Sequence, residues 1–460
     1  MRKNRVYLLG VVTIVLLFLL VKGILFWTAK PKVTVDYVAE YNKLTQPQDY
    51  DPNKNAADDY QEALDAFMEM PKEVSLAISR PSFELSRQLY KKRNERFTKN
   101  SIAHRADMAL MSNGNLAPNI DWPTDFNNDE QDMLRRWLAS NEKAFECFRI
   151  ASHKPYYWLE RGSREDIGMS GMMFPETWSF RDLIETMIWN AKLKAADGQF
   201  QSAFDDILAC YRAGQQKCQT RSILFEQLLG ITIKDRALSV AISIIDRVDM
   251  MPENLIIFQN ALETEFKNDT YVIDCEAERL KLYDVLQRAF VYNRKGNGRL
   301  AWCKVVGVFS MCLPDETIKM KYNLFLDCLL GPTRNEMAQY IEETFAAFDS
   351  VKYKTPWQLH IKNENYFQQL SVPQKSRYFK KFNLSGCGDC EQFALGIFSE
   401  VSPIPFNEHY RLKAKEGALL AIIAIQRFRA EKGKLPATLD ELVSAGYLQT
   451  LPLDPYSDGL

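Results

Sequence analysis

Residues 180–246 read FRDLIETMIWNAKLKAADGQFQSAFDDILACYRAGQQKCQTRSILFEQLLGITIKDRALSVAISIID, and their spacing decides the fold class. Ile184, Met187, Ile188, Ala191 and Ala195 recur at three- and four-residue intervals, which places them on one face of a helix. Gly198 interrupts that run, and Phe200, Phe204, Ile207, Leu208 and Tyr211 line the next face. Two antiparallel helices joined by a short turn follow. Leu224, Leu228, Ile231, Leu238, Ile242 and Ile245 then make a third stripe, expected inside a helical core.

The same spacing spreads outward from this stretch. Ala56, Tyr60, Ala63, Leu64 and Phe67 mark a helix that Pro71 closes, and Leu85, Leu89 and Tyr90 mark another. The charges at 91–96 read as a solvated helix face, with a binding patch as the alternative. Beyond an Asn-, Pro-, Gly- and Asp-rich linker at 113–128, Met133, Leu134, Trp137, Leu138, Phe145 and Phe148 resume the helical pattern. Thr333 and Glu336 fit a capping box that opens a helix carrying Met337, Tyr340, Ile341, Phe345 and Phe348. The fragment AADGQFQSAFDDILACYRAG resembles the turn and second helix of a tetratricopeptide unit, with Gly198, Phe200 and Ala203 at its small and aromatic positions. A solenoid needs about three repeats, and no 34-residue period recurs, so the likeness implies helix pairing alone.

Residues 6–21, VYLLGVVTIVLLFLLV, are uncharged and almost wholly apolar, and residues 23–27 extend the run past Lys22. About 20 such residues cross a bilayer, and a lysine near the end can snorkel outward, so one spanning helix is expected. Arg2, Lys3 and Arg5 precede it, against Lys30 and Lys32 after it, giving a cytoplasmic N-terminus and an exported body on the periplasmic side. A cleaved signal peptide is the rival, disfavoured by the length of the run and by Trp27 near the cleavage point. Residues 33–54, polar and holding Pro47 and Pro52, read as a stalk.

The chain of 460 residues carries 58 Lys+Arg against 59 Asp+Glu, which leaves no overall basic field to hold nucleic acid. Chemical motifs are few. Gly168 and Ser170 begin a nucleophile-elbow pattern, but position 172 is Met where a second glycine is needed. Residues 294–299, RKGNGR, lack Walker spacing and read as a solvated turn. His104, His153, His360 and His409 stand too far apart in sequence for a two-histidine metal helix, and Asp49, Asp51, Asp58 and Asp59 read as exposed carboxylates. Cys387-Gly-Asp-Cys390 is the sharpest signal, at the expected start of a helix whose dipole favours a thiolate on Cys387. It stands as a structural disulfide or unpaired thiols, with a redox pair and half of a metal site as alternatives. Nine cysteines are present; Cys210 with Cys218 and Cys303 with Cys312 are neighbours whose bridging spacing alone leaves open.

The C-terminal segment, ALLAIIAIQRFRAEKGKLPATLDELVSAGYLQTLPLDPYSDG, is similar to the C-terminal part of the type II secretion G-type major pseudopilin. Phe428, Gly433, Pro436, Leu439, Leu442, Tyr447, Pro452, Asp454, Pro455, Tyr456 and Gly459 carry the match. With NAADDYQEAL and ILFEQLLGITIKDRAL, the chain as a whole resembles large membrane-anchored bacterial proteins of unknown function. The anchor lacks the Gly-Phe junction and glutamate of a prepilin, so assembly as a pilus subunit is not expected. The resemblance implies an envelope location and a small α+β module, cut short at Leu460. It also implies calcium near Asp454 and Asp458, but two carboxylates fall short of the six to eight oxygens that ion takes, and no metal or cofactor is expected.

The expected architecture is mainly α: a cytoplasmic tip and anchor at 1–32, the stalk at 33–54, a helical ectodomain at 55–382, the CxxC helix and linker at 383–407, and the pseudopilin-like module at 408–460. The expected function is a helical scaffold for envelope protein partners at the cytoplasmic membrane, possible secretion association included. The alternative is an exported enzyme, a thiol oxidoreductase using Cys387 and Cys390 or a hydrolase with a site assembled from distant residues.

Overall fold

The central residues in the chain become the central elements of the fold. The structure, a computed structural model, describes residues 17, 30–71, 74, 122–163, 167–292, 296–301, 333–361 and 404–458. Among them are thirteen α-helices and four isolated β-bridges, and no strand. In chain order the helices are α1 Tyr37–Thr45, α2 Ala57–Asp65, α3 Asn128–Ser140, α4 Glu142–Ser152, α5 Glu176–Ala196, α6 Phe200–Gln219, α7 Leu224–Arg247, α8 Pro252–Asn268, α9 Glu276–Ala289, α10 Arg334–Val351, α11 Pro356–Ile361, α12 Ile404–Lys432 and α13 Leu439–Ser444. The mainly helical class is as expected. The strands of an α+β module are not among the described residues of 404–458, where two helices and a turn are found.

Helices α5, α6 and α7 form the hub, as the spacing of residues 180–246 requires. The turn between α5 and α6 needs Gly198, which sits at φ 76° where a side chain is strained. Buried residues on α7 run around most of its circumference, from Leu224 and Ile231 to Ile233, Val240 and Ile244, so it is a central helix and not a one-faced one. It lies very close to α6. A Cβ placed on Gly214 would stand 2.7 Å from the carbonyl oxygen of Gly230, and one on Gly230 2.6 Å from that of Gly214. The paired glycines therefore let the two backbones meet at this crossing.

Around the hub, a break in α3–α4 turns the chain. Asn141 separates the two helices and is fully buried. Its amide accepts from Met68 N at 2.8 Å and donates to Trp137 O at 3.1 Å and Met68 O at 3.2 Å, so one side chain satisfies a carbonyl in the last turn of α3 and ties the segment after α2 to it. Helix α10 starts as expected: Thr333 accepts from Glu336 N, and Glu336 accepts from Thr333 N at 2.8 Å. The glycine-containing turn of residues 296–299 is spent on the same helix start. Gly298 O accepts from Arg334 N at 2.7 Å, and Asn297 Oδ1 accepts from Asn335 N at 3.1 Å.

Two ends of the chain are drawn into this body. Residues 33–54, read as a stalk, contain α1, whose start is capped by Asp36 and which packs on α9. Ahead of it, Thr34 N and Val35 N donate to Gln287 Oε1 on α9, Gln287 Nε2 donates back to Val35 O at 2.8 Å, and Pro31 pairs with Val291. At the other end α12 begins earlier than residue 408, and Phe406, Leu412, Leu419 and Ile423 belong to the same apolar core as α5–α7. Beyond Ala424 the helix changes neighbours. Ala424 and Phe428 join Leu442, Tyr447 and Leu448 in a small second core.

Among the described residues no helix is long and apolar enough to cross a membrane. The run at 6–21 lies outside them except for Leu17, as do residues 302–332 and 362–403.

Candidate functional site

The most unusual chemistry in the body is charge taken into its interior. In the first of two clusters, Arg161 reaches in from the loop after α4 and donates to Glu176 Oε1 at 2.6 Å and Glu226 Oε1 at 2.8 Å. Lys217 of α6 lies 3.6 Å from the same Glu226 oxygen and 3.6 Å from the ring centre of Tyr157. Burial pushes the Lys217 amine below its usual range, the nearby glutamates opposing that, and its Nζ has no hydrogen-bond partner. Burial likewise favours the neutral acid on Glu176, but the hydrogen bond and charge of Arg161 prevail and hold it below the ordinary value. At 1% exposure Lys217 is out of reach of any dissolved substrate in this conformation, so its shifted amine is not a usable nucleophile.

The second cluster joins α6, α7, the end of α8 and α12. Lys234 pairs with Asp269, both fully buried, and stands 3.8 Å from Glu416. Lys413 donates to Asp269 Oδ2 and Glu416 Oε2, each at 3.0 Å, while Tyr211 OH donates to Glu416 Oε1 at 2.7 Å. Burial would raise the Asp269 pKa; Lys234 and Lys413 outweigh it and hold it at about 2. His409 is buried beside them with its ring edge-on to Tyr271, and burial together with Lys413 and Lys234 lowers its pKa to about 3. It is a neutral imidazole here. A third, smaller centre is Asp206, which accepts from Arg149 at 2.7 Å and from Lys194 and Asn190 at 2.8 Å.

Two grooves flank α8. One, of about 360 Å³, is lined by Arg149 of α4 and His153 just after it, by Phe204 and Arg212 of α6 and by Ile257 and Phe258 of α8. Its floor is the stacked pair Phe204 and Phe258, with ring centres 3.8 Å apart. The other, of about 520 Å³, lies between α8 and the C-terminal segment, with Thr264, Lys267, Leu420, Leu448, Gln449 and Pro452 in its walls.

That second groove draws on the C-terminal residues singled out in the sequence. Gly433 and Gly446 close α12 and α13 at φ 71° and 78°. Leu442 is fully buried, Tyr447 donates to Glu431 at 2.7 Å and accepts at its carbonyl from Gln259 at 2.9 Å, and the Tyr447 ring packs on Phe428. Pro452 sits over Gly417, where a Cβ would meet the proline Cβ at 2.7 Å. Asp454 Oδ1 is taken by Tyr456 N, the buried Pro455 accepts at its carbonyl from Trp357 N, and Tyr456 OH donates to Asn407 O at 3.4 Å. Pro436 is half-buried in the connection between α12 and α13, and Gly459 lies outside the described residues. No three His, Cys, Asp or Glu side chains converge on a metal position among the described residues.

Cys387 and Cys390 also lie outside the described residues, with Cys303 and Cys312. Cys210 and Cys218 are free thiols, not a bridge: eight positions apart on α6, their Cα atoms stand about 12 Å apart on helical rise, beyond disulfide reach. Burial raises both, Cys218 to about 12, which makes them inert. Ser170 is exposed on a single 3-10 turn. Asp51 caps the turn at Pro52–Lys54, and Asp59 pairs with Lys154 in the first turn of α2.

Sequence spacing passed over the buried ions, although a signal exists. Lys234 falls between Ile231 and Leu238, and Glu416 between Leu412 and Leu419, each at a helical step within an apolar stripe. Comparison with protein families, with curated proteins and with solved structures finds no match for this chain.

Proposed function

We propose that this protein is a membrane-anchored helical scaffold of the bacterial cell envelope. Its working face is the groove between α8 and the C-terminal segment, and its occupant is an extended segment of an envelope protein. The observation that carries the reading is that one wall of a groove of about 520 Å³ is supplied by Leu448, Gln449, Thr450 and Pro452 of the pseudopilin-like segment. The wall is held fixed by Pro452 on Gly417 and by Tyr447 on Gln259. Leu420, Leu448 and Pro452 offer apolar seats, and Glu263, Lys267 and Gln449 offer partners to a backbone above them. The resemblance to a secretion pseudopilin makes a secretion component the favoured partner.

A photoreactive residue placed at Thr264 or Gln449, both exposed, tests this in living cells. The reading expects cross-links to a component of the secretion apparatus or another envelope protein. It expects them to vanish when Thr450→Arg fills the groove. Absence of cross-links from both positions, or cross-links unaffected by Thr450→Arg, would overturn it.

A further inference from the structure

The segment read as a stalk is not a spacer. Pro31 pairs with Val291, Val35 exchanges hydrogen bonds with Gln287, and α1 lies along α9, so the chain is fastened to the body from residue 31 onward. The apolar run of the sequence ends at Trp27. The residues from there to Pro31 can span at most about 14 Å when fully extended. The polar zone on one side of a bilayer is itself about 5–7 Å deep. If residues 6–27 span the membrane, the surface around Pro31 cannot stand clear of it.

That surface carries the side chains such a position favours. Val33 is 50% exposed, Val35 38% and Tyr292 44%, all within a few residues of the Pro31–Val291 pairing. The 3-10 turn at Gly168–Gly171 is brought to the same end of α9, because Met169 N donates to Asp284 Oδ2 and Gly168 lies against Arg288. It adds Ile167, 43% exposed. Lys30 and Lys32, both exposed, flank Pro31, while the carboxylate of Asp36 accepts the capping hydrogen bonds of α1. Aliphatic side chains, an aromatic ring and lysines at one rim are the composition of a lipid interface.

We infer that the end of α9, with Val33, Val35, Ile167 and Tyr292, is a bilayer-contact face that holds the ectodomain against the outer leaflet in one orientation. The inference rests on the anchor reading. It gives the groove beside α8 a fixed orientation relative to the membrane.

The test uses the full chain reconstituted into vesicles of phosphatidylethanolamine and phosphatidylglycerol, with a photoreactive residue at position 33, 167 or 292. Ile257 and Leu435, exposed on α8 and after α12, are the controls. Lipid adducts several-fold more abundant at 33, 167 and 292 than at 257 and 435 are the expected result. Adducts at 33 alone, with 167 and 292 no better than the controls, would overturn the inference while leaving the anchor intact. If alkaline carbonate strips the chain from the vesicles, the anchor reading fails and the inference with it. The groove cross-links at Thr264 and Gln449 would be judged separately.

Discussion

Lys234 Nζ rests on the carboxylate of Asp269, and neither side chain has any exposed surface. One residue comes from the central helix α7 and the other from just beyond α8. Lys413 and Glu416 of α12 close the cluster, so the C-terminal helix is tied to the hub by charge as well as by apolar contact. Such a cluster contributes little net stability over an apolar replacement but penalises any arrangement in which one partner is missing.

Asp269→Asn should therefore be costly, because it leaves Lys234 and Lys413 with Glu416 as the one carboxylate between them. The expected loss is about 3–5 kcal/mol, read from urea unfolding. Replacing the pair together, Lys234→Met with Asp269→Leu, should recover most of it.

Lys217 should behave in the opposite way. Its Nζ is buried without a hydrogen-bond partner and its pKa is lowered mainly by burial. Lys217→Met keeps the packing against Tyr157 and Phe180 and removes the desolvation cost, so stability should change by less than about 1 kcal/mol or increase. Glu226→Ala, which leaves Arg161 and Lys217 with Glu176 as the one carboxylate between them, should cost about 3 kcal/mol or more in the same assay.

Acid should expose His409. The unfolded chain takes up this proton near 6.5, the folded chain only near 3, so the unfolded state binds more protons between those values. Stability from this group is complete above pH 6.5 and declines as pH falls toward 3, with a slope of up to about 1.4 kcal/mol per pH unit. Asp269 adds a decline of the same sign between 3.8 and about 2. Unfolding free energies measured across this range should show a shallower acid slope in His409→Leu, by about one proton.

Gly214→Ala and Gly230→Ala test the helix crossing. Either methyl would stand within 2.7 Å of a facing backbone carbonyl oxygen, and backbone cannot yield as a side chain can. Each should lower stability by about 1–3 kcal/mol or more, by spreading α6 from α7. Gly198→Ala should cost less, because its added Cβ meets nothing within 4 Å and only the positive φ is strained.

Regular helix faces were legible because periodicity records burial. Ile184, Met187, Ile188, Ala191 and Ala195 are all in the core, and the Thr333–Glu336 cap is where the motif places it. What failed to show were features set by partners distant in sequence. Val35 and Thr34 look like linker until Gln287, some 250 positions away, is brought to them. Residues 296–299 look like an open turn until α10 starts on their carbonyls. Buried ions were the hardest, since nothing in the sequence beside Lys217 or Glu226 names the opposite charge that the neighbouring helix brings to it. The groove beside α8 was hidden for the same reason, with one wall from residues 260–267 and the other from 448–452.

The central claim is that the C-terminal helix belongs to the body and fixes the groove wall, and amide hydrogen exchange on the full chain tests it most directly. Residues 412–423 share a core and an ionic cluster with 231–245, so the two stretches should open together, with equal protection and equal response to denaturant. Residues 412–448 exchanging earlier, as a unit of their own while 231–245 stay protected, would contradict the account and make the segment a separate module.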